Sequence, residues 1–302
     1  MQNIEINFNK YFKIFNIFSV SLMLISIVLL LFKGLNYGVD FKGGTLIELR
    51  ATDQQITIFQ LRKSFLNMNL GDVNIKEFGK NNDFLIKFEK KENNNVNLIQ
   101  DIKENLNKSI GSGYNFRRVE SVGPKVSSEL LKSGIIAIFL SLAAMLIYIW
   151  IRFEWQFSLG AIYALFHDVI LTLGVFSLFS LEINLSIVAA VLTIVGYSMN
   201  DTVVIFDRIR ENLKKYLKFS ISDISNISTN ETLSRTLITS ATTLLALLSI
   251  YIFGGAILKG FSFAMIVGVV VGTYSSIFVA TPILKYTNVS HKTVLKDNQE
   301  NN

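Results

Sequence analysis

The sequence predicts a polytopic α-helical membrane protein: six transmembrane helices, with an external α+β domain of ferredoxin-like β-α-β-β-α-β order between helices 1 and 2. Three observations carry this. Six apolar runs are long enough to cross hydrocarbon, Lys and Arg gather on alternate connections, and about a hundred polar residues follow the first run. Of the 302 residues 50% are hydrophobic and 24 are Phe, too apolar for a soluble domain of this size.

A spanning helix needs about 20 mostly apolar residues at a rise of 1.5 Å each. Residues 14–32, 134–151, 157–179, 183–206, 236–253 and 262–285 meet that requirement. The first run follows Lys10 and Lys13 as a signal peptide would, but it is long and lacks a small-residue cleavage site before Gly34, so it reads as a retained anchor. With six spans, Lys10, Lys13, Arg152, Arg208, Arg210, Lys214, Lys215, Lys218, Lys285, Lys292 and Lys296 all fall on one side. The short loops of the other side hold only Glu182 and Lys259. Cytoplasmic loops carry the basic excess, so both termini are expected in the cytoplasm. The chain then divides into a cytoplasmic N-terminus with helix 1 (1–33), an external periplasmic domain (34–133), helices 2–6 (134–285) and a cytoplasmic tail (286–302).

Within the external stretch, residues 45–50 alternate like a strand and 56–68 read as a helix. Residues 73–78 and 84–89 read as two strands around an Asn81-Asn82-Asp83 turn. Residues 96–110 form an amphipathic helix with Val96, Ile99, Ile102 and Leu106 on one face, and 114–119 supply the last strand. This is the order of a split βαβ unit. Val122-Gly123-Pro124-Lys125 breaks the strand, and 126–132 lead helically into the second span. The Ser-, Asn- and Ile-rich residues 219–231 read as a basic-flanked connection along the membrane interface.

Several function classes are excluded. The chain has no Cys and only His167 and His291, which leaves no disulfide framework and no zinc site. The net charge of +6 is spread along the chain without a recognition helix, so it reads as membrane topology and not as nucleic-acid binding. No G-x-x-x-x-G-K-[ST], G-x-S-x-G or H-E-x-x-H is present. A hydrolytic enzyme is therefore not expected, and neither is a cofactor.

The informative residues are polar ones at membrane depth. Asp168 lies about 16 Å into the third span, near the bilayer middle, and Asp201 about 8 Å inside the cytoplasmic end of the fourth. An Asp at a helix centre costs roughly 2.5–3.5 kcal/mol on insertion, so such groups face a bundle interior or a wet cavity. Helical spacing puts Ser198, Asp201 and Arg208 on one face, and Asn200 on another with Gly196 and Asp207. Arg235, Thr239 and Thr242 form a stripe on the fifth span; Gly268, Gly272 and Ser276 form a small-xxx-small stripe on the sixth, suited to close helix packing, as Gly196 is on the fourth. A polar interior served by three or four helices is the economical picture, with Asp201, Arg235, Asp168 and Asn200 as its proton-handling candidates. A bland reading stands beside each: Asp201 and Asp168 as packing hydrogen-bonders, His167 as a packed neighbour, Arg235 snorkelling to phosphates, and Asp207, Arg208, Arg210 and Glu211 as a solvated helix end.

These residues resemble a known family. Tyr37-Gly38-Val39-Asp40-Phe41-Lys42-Gly43-Gly44, Val122-Gly123-Pro124-Lys125, His167-Asp168, Gly196-Tyr197-Ser198-Met199-Asn200-Asp201-Thr202, Phe206-Asp207-Arg208-Ile209-Arg210-Glu211-Asn212 and Arg235-Thr236-Leu237-Ile238-Thr239-Ser240 are similar to the motifs of the SecD/SecF family, within the RND superfamily. The resemblance implies a six-helix bacterial inner-membrane subunit that pairs with SecD and works beside the SecYEG channel with its SecA ATPase, and beside YajC. The implied activity is use of the proton motive force to draw translocating unfolded polypeptide across the lipid bilayer. It also implies that Asp201 takes part in proton conduction with Arg235 as its partner on the next helix, and that Gly38, Asp40, Gly43 and Gly44 open the external domain. A non-catalytic scaffold of the translocon, an RND-type small-molecule exporter and an intramembrane aspartyl protease are the alternatives.

Overall fold

The computed structural model describes residues 6–52, 56–68, 70, 73–77, 82–88 and 98–295. They fall into two compact units, Tyr37–Ile135 and a second made of Met1–Asn36 with Ile136–Asn302.

In the smaller unit, strand β1 (Asn36–Tyr37) and the single helical turn α2 (Val39–Lys42) lead to β2 (Gly44–Ala51), α3 (Ile58–Leu66), β3 (Val73–Glu77), β4 (Asp83–Phe88), α4 (Leu98–Ile110) and β5 (Tyr114–Val122). The sheet runs β3-β4-β2-β5 with every neighbouring pair antiparallel. Each helix carries the chain to a strand two places away, which is the ferredoxin-like arrangement. Helix α3 starts where Thr57 and Gln60 form a reciprocal capping box, with Thr57 N–H donating to Gln60 Oε1 at 2.9 Å. The core is one layer deep: Ile47, Leu49, Ile75, Phe84, Ile86 and Phe88 from the sheet meet Leu61, Phe65, Ile102 and Leu106 from the helices. Arg50 grips Asp83 through two parallel hydrogen bonds of 2.6 and 2.5 Å, and Asp83 pushes the guanidinium further above its ordinary range, so the pair stays ionised. Val96, Phe78, Asn81, Glu89 and Lys296, named at the ends of expected elements or in basic loops, lie outside the described residues.

The larger unit holds α1 (Asn9–Phe32), the body of α5 (Pro124–Arg152), α6 (Trp155–Leu178), β6 (Glu182–Ile183), α7 (Leu185–Lys215), α8 (Ile221–Phe253) and α9 (Gly255–Ser275). A π-helical turn (Ser276–Ala280), α10 (Thr281–Tyr286) and α11 (His291–Leu295) complete it. Among the described residues six helices are long and apolar enough to span, the last being Leu258–Tyr286. Helices α6, α7 and α9 form the interior and α1, α5 and α8 the periphery. The sixth span widens into its π turn just before Pro282, which has no N–H to give to the preceding turn and crowds its carbonyl.

Two expectations are corrected. Residues 219–231, expected as a connection between spans, are mostly the first turns of a long helix: Ser220 caps it, with Asp223 completing a capping box, and α8 runs unbroken from Ile221. Gly196 is not a helix-packing residue of this chain, because its position on α7 is exposed and a Cβ there would meet nothing within 4 Å. The helix end is partly exposed, as expected, and its charges are also paired, Arg208 with Glu211 and Glu231 at 2.7 Å each and Arg152 with Asp207 at 2.7 Å.

Gly268 and Gly272 do pack. A Cβ on Gly268 would overlap the Ile194 side chain, and one on Gly272 would sit 2.9 Å from Ser198 Cβ. The Gly272→Val change is therefore expected to cost about 1–3 kcal/mol through overpacking, while Gly196→Ala is neutral or stabilising by up to about 1 kcal/mol. Thermal unfolding in detergent checks the contrast. In the smaller unit, Phe84→Ala should cost about 3–5 kcal/mol, measured by urea unfolding of a fragment covering 37–135.

Candidate functional site

In the middle of α6, His167 and Asp168 sit side by side in the interior of the larger unit, 0% and 1% exposed. Asp168 Oδ2 accepts hydrogen bonds from Ser198 of α7 at 2.5 Å and from Ser275 of α9 at 2.8 Å; Oδ1 lies 2.9 Å from His167 Nδ1. One carboxylate thereby ties three helices together. All of these contacts are buried. His167 Nε2 is buried with no partner among the described residues, and its ring lies 6.2 Å from Tyr274, whose hydroxyl is 2.6 Å from Ser19 of α1.

A second tier continues from this cluster. Thr202 Oγ1 lies 2.9 Å from Ser276 Oγ, joining α7 to the π turn, and Thr281 donates to the Ser276 carbonyl at 2.8 Å. Asp201, 3% exposed, stands beside Thr202 but turns towards α8, where Ser240 and the charge of Arg235 act on it. Its Oδ2 is buried and has no hydrogen-bond partner among the described residues. Ser240 is itself 2.7 Å from Thr273 of α9.

The structure thus separates residues that spacing placed in one set. Asp168 and Asp201 are both interior, yet Asp168 is saturated with hydroxyl donors while Asp201 is left with an unsatisfied oxygen. Arg235 forms no ion pair among the described residues and is exposed, as is Asn200; both stand on faces that this chain's own helices do not cover. Thr239 and Thr242, in the Arg235 stripe, donate to carbonyls of their own helix. Ser276 lies at the α7 contact. Ser275, the second donor to Asp168, was not anticipated from spacing, although the Ser275-Ser276 pair of hydroxyls deep in the sixth span is a visible signal. No group of three or more His, Asp or Glu side chains able to hold a metal forms among the described residues.

In the smaller unit Gly38 precedes α2, Asp40 lies within it, and Gly43 and Gly44 follow with φ of +80° and +119°. Gly43 is required by its backbone, whose positive φ disfavours any side chain; a Cβ there would make only ordinary contact, 3.4 Å from Pro124 Cα and Ser127 Oγ. Gly38 and Gly43 border a cleft of about 180 Å³ with Tyr37, Lys42, Asn74 and Lys87.

Comparison with known proteins agrees in detail. The model of the protein export membrane protein SecD/SecF C-terminal family matches residues 102–290, and that of the SecD/SecF GG motif matches 28–55. The protein translocase subunit SecF of Rickettsia bellii is 46% identical over 93% of both chains, and that of Cereibacter sphaeroides is 45% identical over 93% of this chain and 89% of its own. The crystal structure of SecDF, a translocon-associated membrane protein from Thermus thermophilus, superposes with a TM-score of 0.84 at 34% identity over 96% of this chain. SecDF in a super-membrane-facing form gives 0.69 at 32% identity over 98%. This chain spans 40% of the length of either solved SecDF chain.

Removing the Asp168 carboxylate should loosen the bundle more than removing one donor. Interhelical hydrogen bonds in membranes average about 0.6 kcal/mol, so Ser275→Ala is expected to cost about that. Asp168→Ala, which strips three partners at once, should cost several-fold more in thermal unfolding in detergent.

Proposed function

The chain belongs to the SecD/SecF family of protein-export membrane proteins, and on that premise we propose that it uses the proton motive force to promote polypeptide export across the bacterial inner membrane. In this reading it pairs with SecD, works beside SecYEG with SecA and YajC, and holds both termini in the cytoplasm. It transfers protons and performs no hydrolysis.

The observation that carries the proposal is the unsatisfied buried oxygen of Asp201. A carboxylate oxygen in hydrocarbon without a donor is costly, and a proton arriving there relieves the cost. Arg235 is the charge that answers it from α8. Loading and unloading Asp201 changes that attraction and hence how α7 and α8 sit against each other. The exposed Asn200 and Arg235 support a partner on those faces of α7 and α8, because polar groups left facing lipid are costly. Moving one charge through 100 mV supplies about 2.3 kcal/mol, enough to bias a two-state element roughly fiftyfold. Asp168, held by the Ser198 and Ser275 hydroxyls and in contact with the His167 ring, serves this scheme as the fixed post against which α7 moves.

In inverted membrane vesicles carrying the full translocase, Asp201→Asn should abolish the stimulation of export by an imposed proton gradient and leave the ATP-driven component intact. Arg235→Gln should reduce the same stimulation at least tenfold. Gradient stimulation at wild-type level in Asp201→Asn would refute the assignment.

A further inference from the structure

At the end of the bundle where α5 gives way to α6, Arg152, Asp207, Arg210, Glu211 and Lys214 line a cleft of about 250 Å³. Pockets that enclose small-molecule ligands run to roughly 300–1,000 Å³, so this one suits a headgroup and not a whole solute. Its acids are already engaged. Asp207 takes Arg152 Nη2 at 2.7 and 2.9 Å on its two oxygens, Glu211 takes Arg208 at 2.7 Å, and nearby Glu154 takes Arg210 at 3.0 Å. The guanidinium groups of Arg152 and Arg210 stand 4.9 and 5.5 Å from the Phe153 ring, which holds both in place.

The uncommitted polarity is therefore positive. Lys214 forms no ion pair or hydrogen bond among the described residues, and Arg152 gives only Nη2 to Asp207, leaving its Nε and Nη1 hydrogens available. The cleft also lies at a defined depth. Trp150 and Trp155, 72% and 57% exposed, flank it in sequence, and exposed Trp rings settle at the level of lipid headgroups. An ammonium beside a guanidinium fork at that depth matches a phosphodiester, which Arg grips through paired N–H groups and Lys neutralises.

We propose that this cleft binds the phosphodiester headgroup of an anionic phospholipid, held by Arg152 and Lys214, so that one lipid bridges the end of α5 and the end of α7. Basic pockets between spanning helices are established headgroup sites in membrane proteins.

The test uses the full chain extracted in mild detergent, with phosphatidylglycerol added back and its retention counted by native mass spectrometry. Lys214 is exposed and unpaired among the described residues, so Lys214→Glu leaves every ion pair of the cleft intact; it should weaken phosphatidylglycerol retention about tenfold, the loss of one charge-assisted contact. Lys218→Glu, on the same surface but outside the cleft, should retain lipid as the wild type does. Unchanged retention in Lys214→Glu, or equal loss in Lys218→Glu, would overturn the site. Millimolar inorganic phosphate should fail to displace the lipid; displacement would assign the cleft to free phosphate instead. Equal retention of phosphatidylcholine would overturn the requirement for an anionic lipid.

Discussion

A polar atom in the middle of a spanning bundle must be satisfied by its neighbours or be left at a cost. Asp168 sets the arrangement that follows. Its carboxylate draws Ser198 of α7 and Ser275 of α9 to within 2.8 Å, and two hydroxyls on different helices can converge on one carboxylate only if their backbones come close. Gly268 and Gly272 permit that approach, since any side chain at either would collide with Ile194 or Ser198. The close approach then brings Ser276 to Thr202, which seats the π turn against α7 one helical turn beyond the carboxylate. Glycine stripe and hydroxyl cluster thus meet around one buried carboxyl group, and the π turn set by Pro282 packs beside them.

Asp201 follows from the same frame by contrast. Asp201 lies three residues after Ser198, whose hydroxyl is fixed to Asp168, so the position of Asp201 in the bundle is determined while its second oxygen stays without a donor. A fully bonded carboxylate next to an under-bonded one is the kind of division by environment from which proton-handling sites are built. On the proposed reading the first is structural and the second is the working group. The polar residues Asn200 and Arg235 stand on uncovered faces of α7 and α8, where the proposed partner subunit would meet them.

Much of this was legible in the sequence because the signals were long and periodic. Six apolar runs and the β-α-β-β-α-β alternation, closed by the Val122-Gly123-Pro124-Lys125 break, survive errors of a few residues at their ends. Asp168 and Asp201 stood out because carboxylates in hydrocarbon are rare. What spacing could not supply was which helix each face meets. Gly196 and Gly272 look alike as small residues on helices, yet one faces outward and the other touches Ser198, a distinction created by tertiary packing. Residues 219–231 carry few of the apolar residues of a span, so their helicity was hidden; it comes from the Ser220-Asp223 capping box and from polar contacts such as Asn212 Nδ2 to Ser228 Oγ at 2.9 Å.

The most direct measurement is infrared difference spectroscopy of the carboxyl stretch in the full chain reconstituted in lipid, recorded across steps of pH. A protonation band that disappears in Asp201→Asn and persists in Asp168→Asn is the predicted result. A band that survives unchanged in Asp201→Asn would contradict the central claim that Asp201 is the group that takes up the proton.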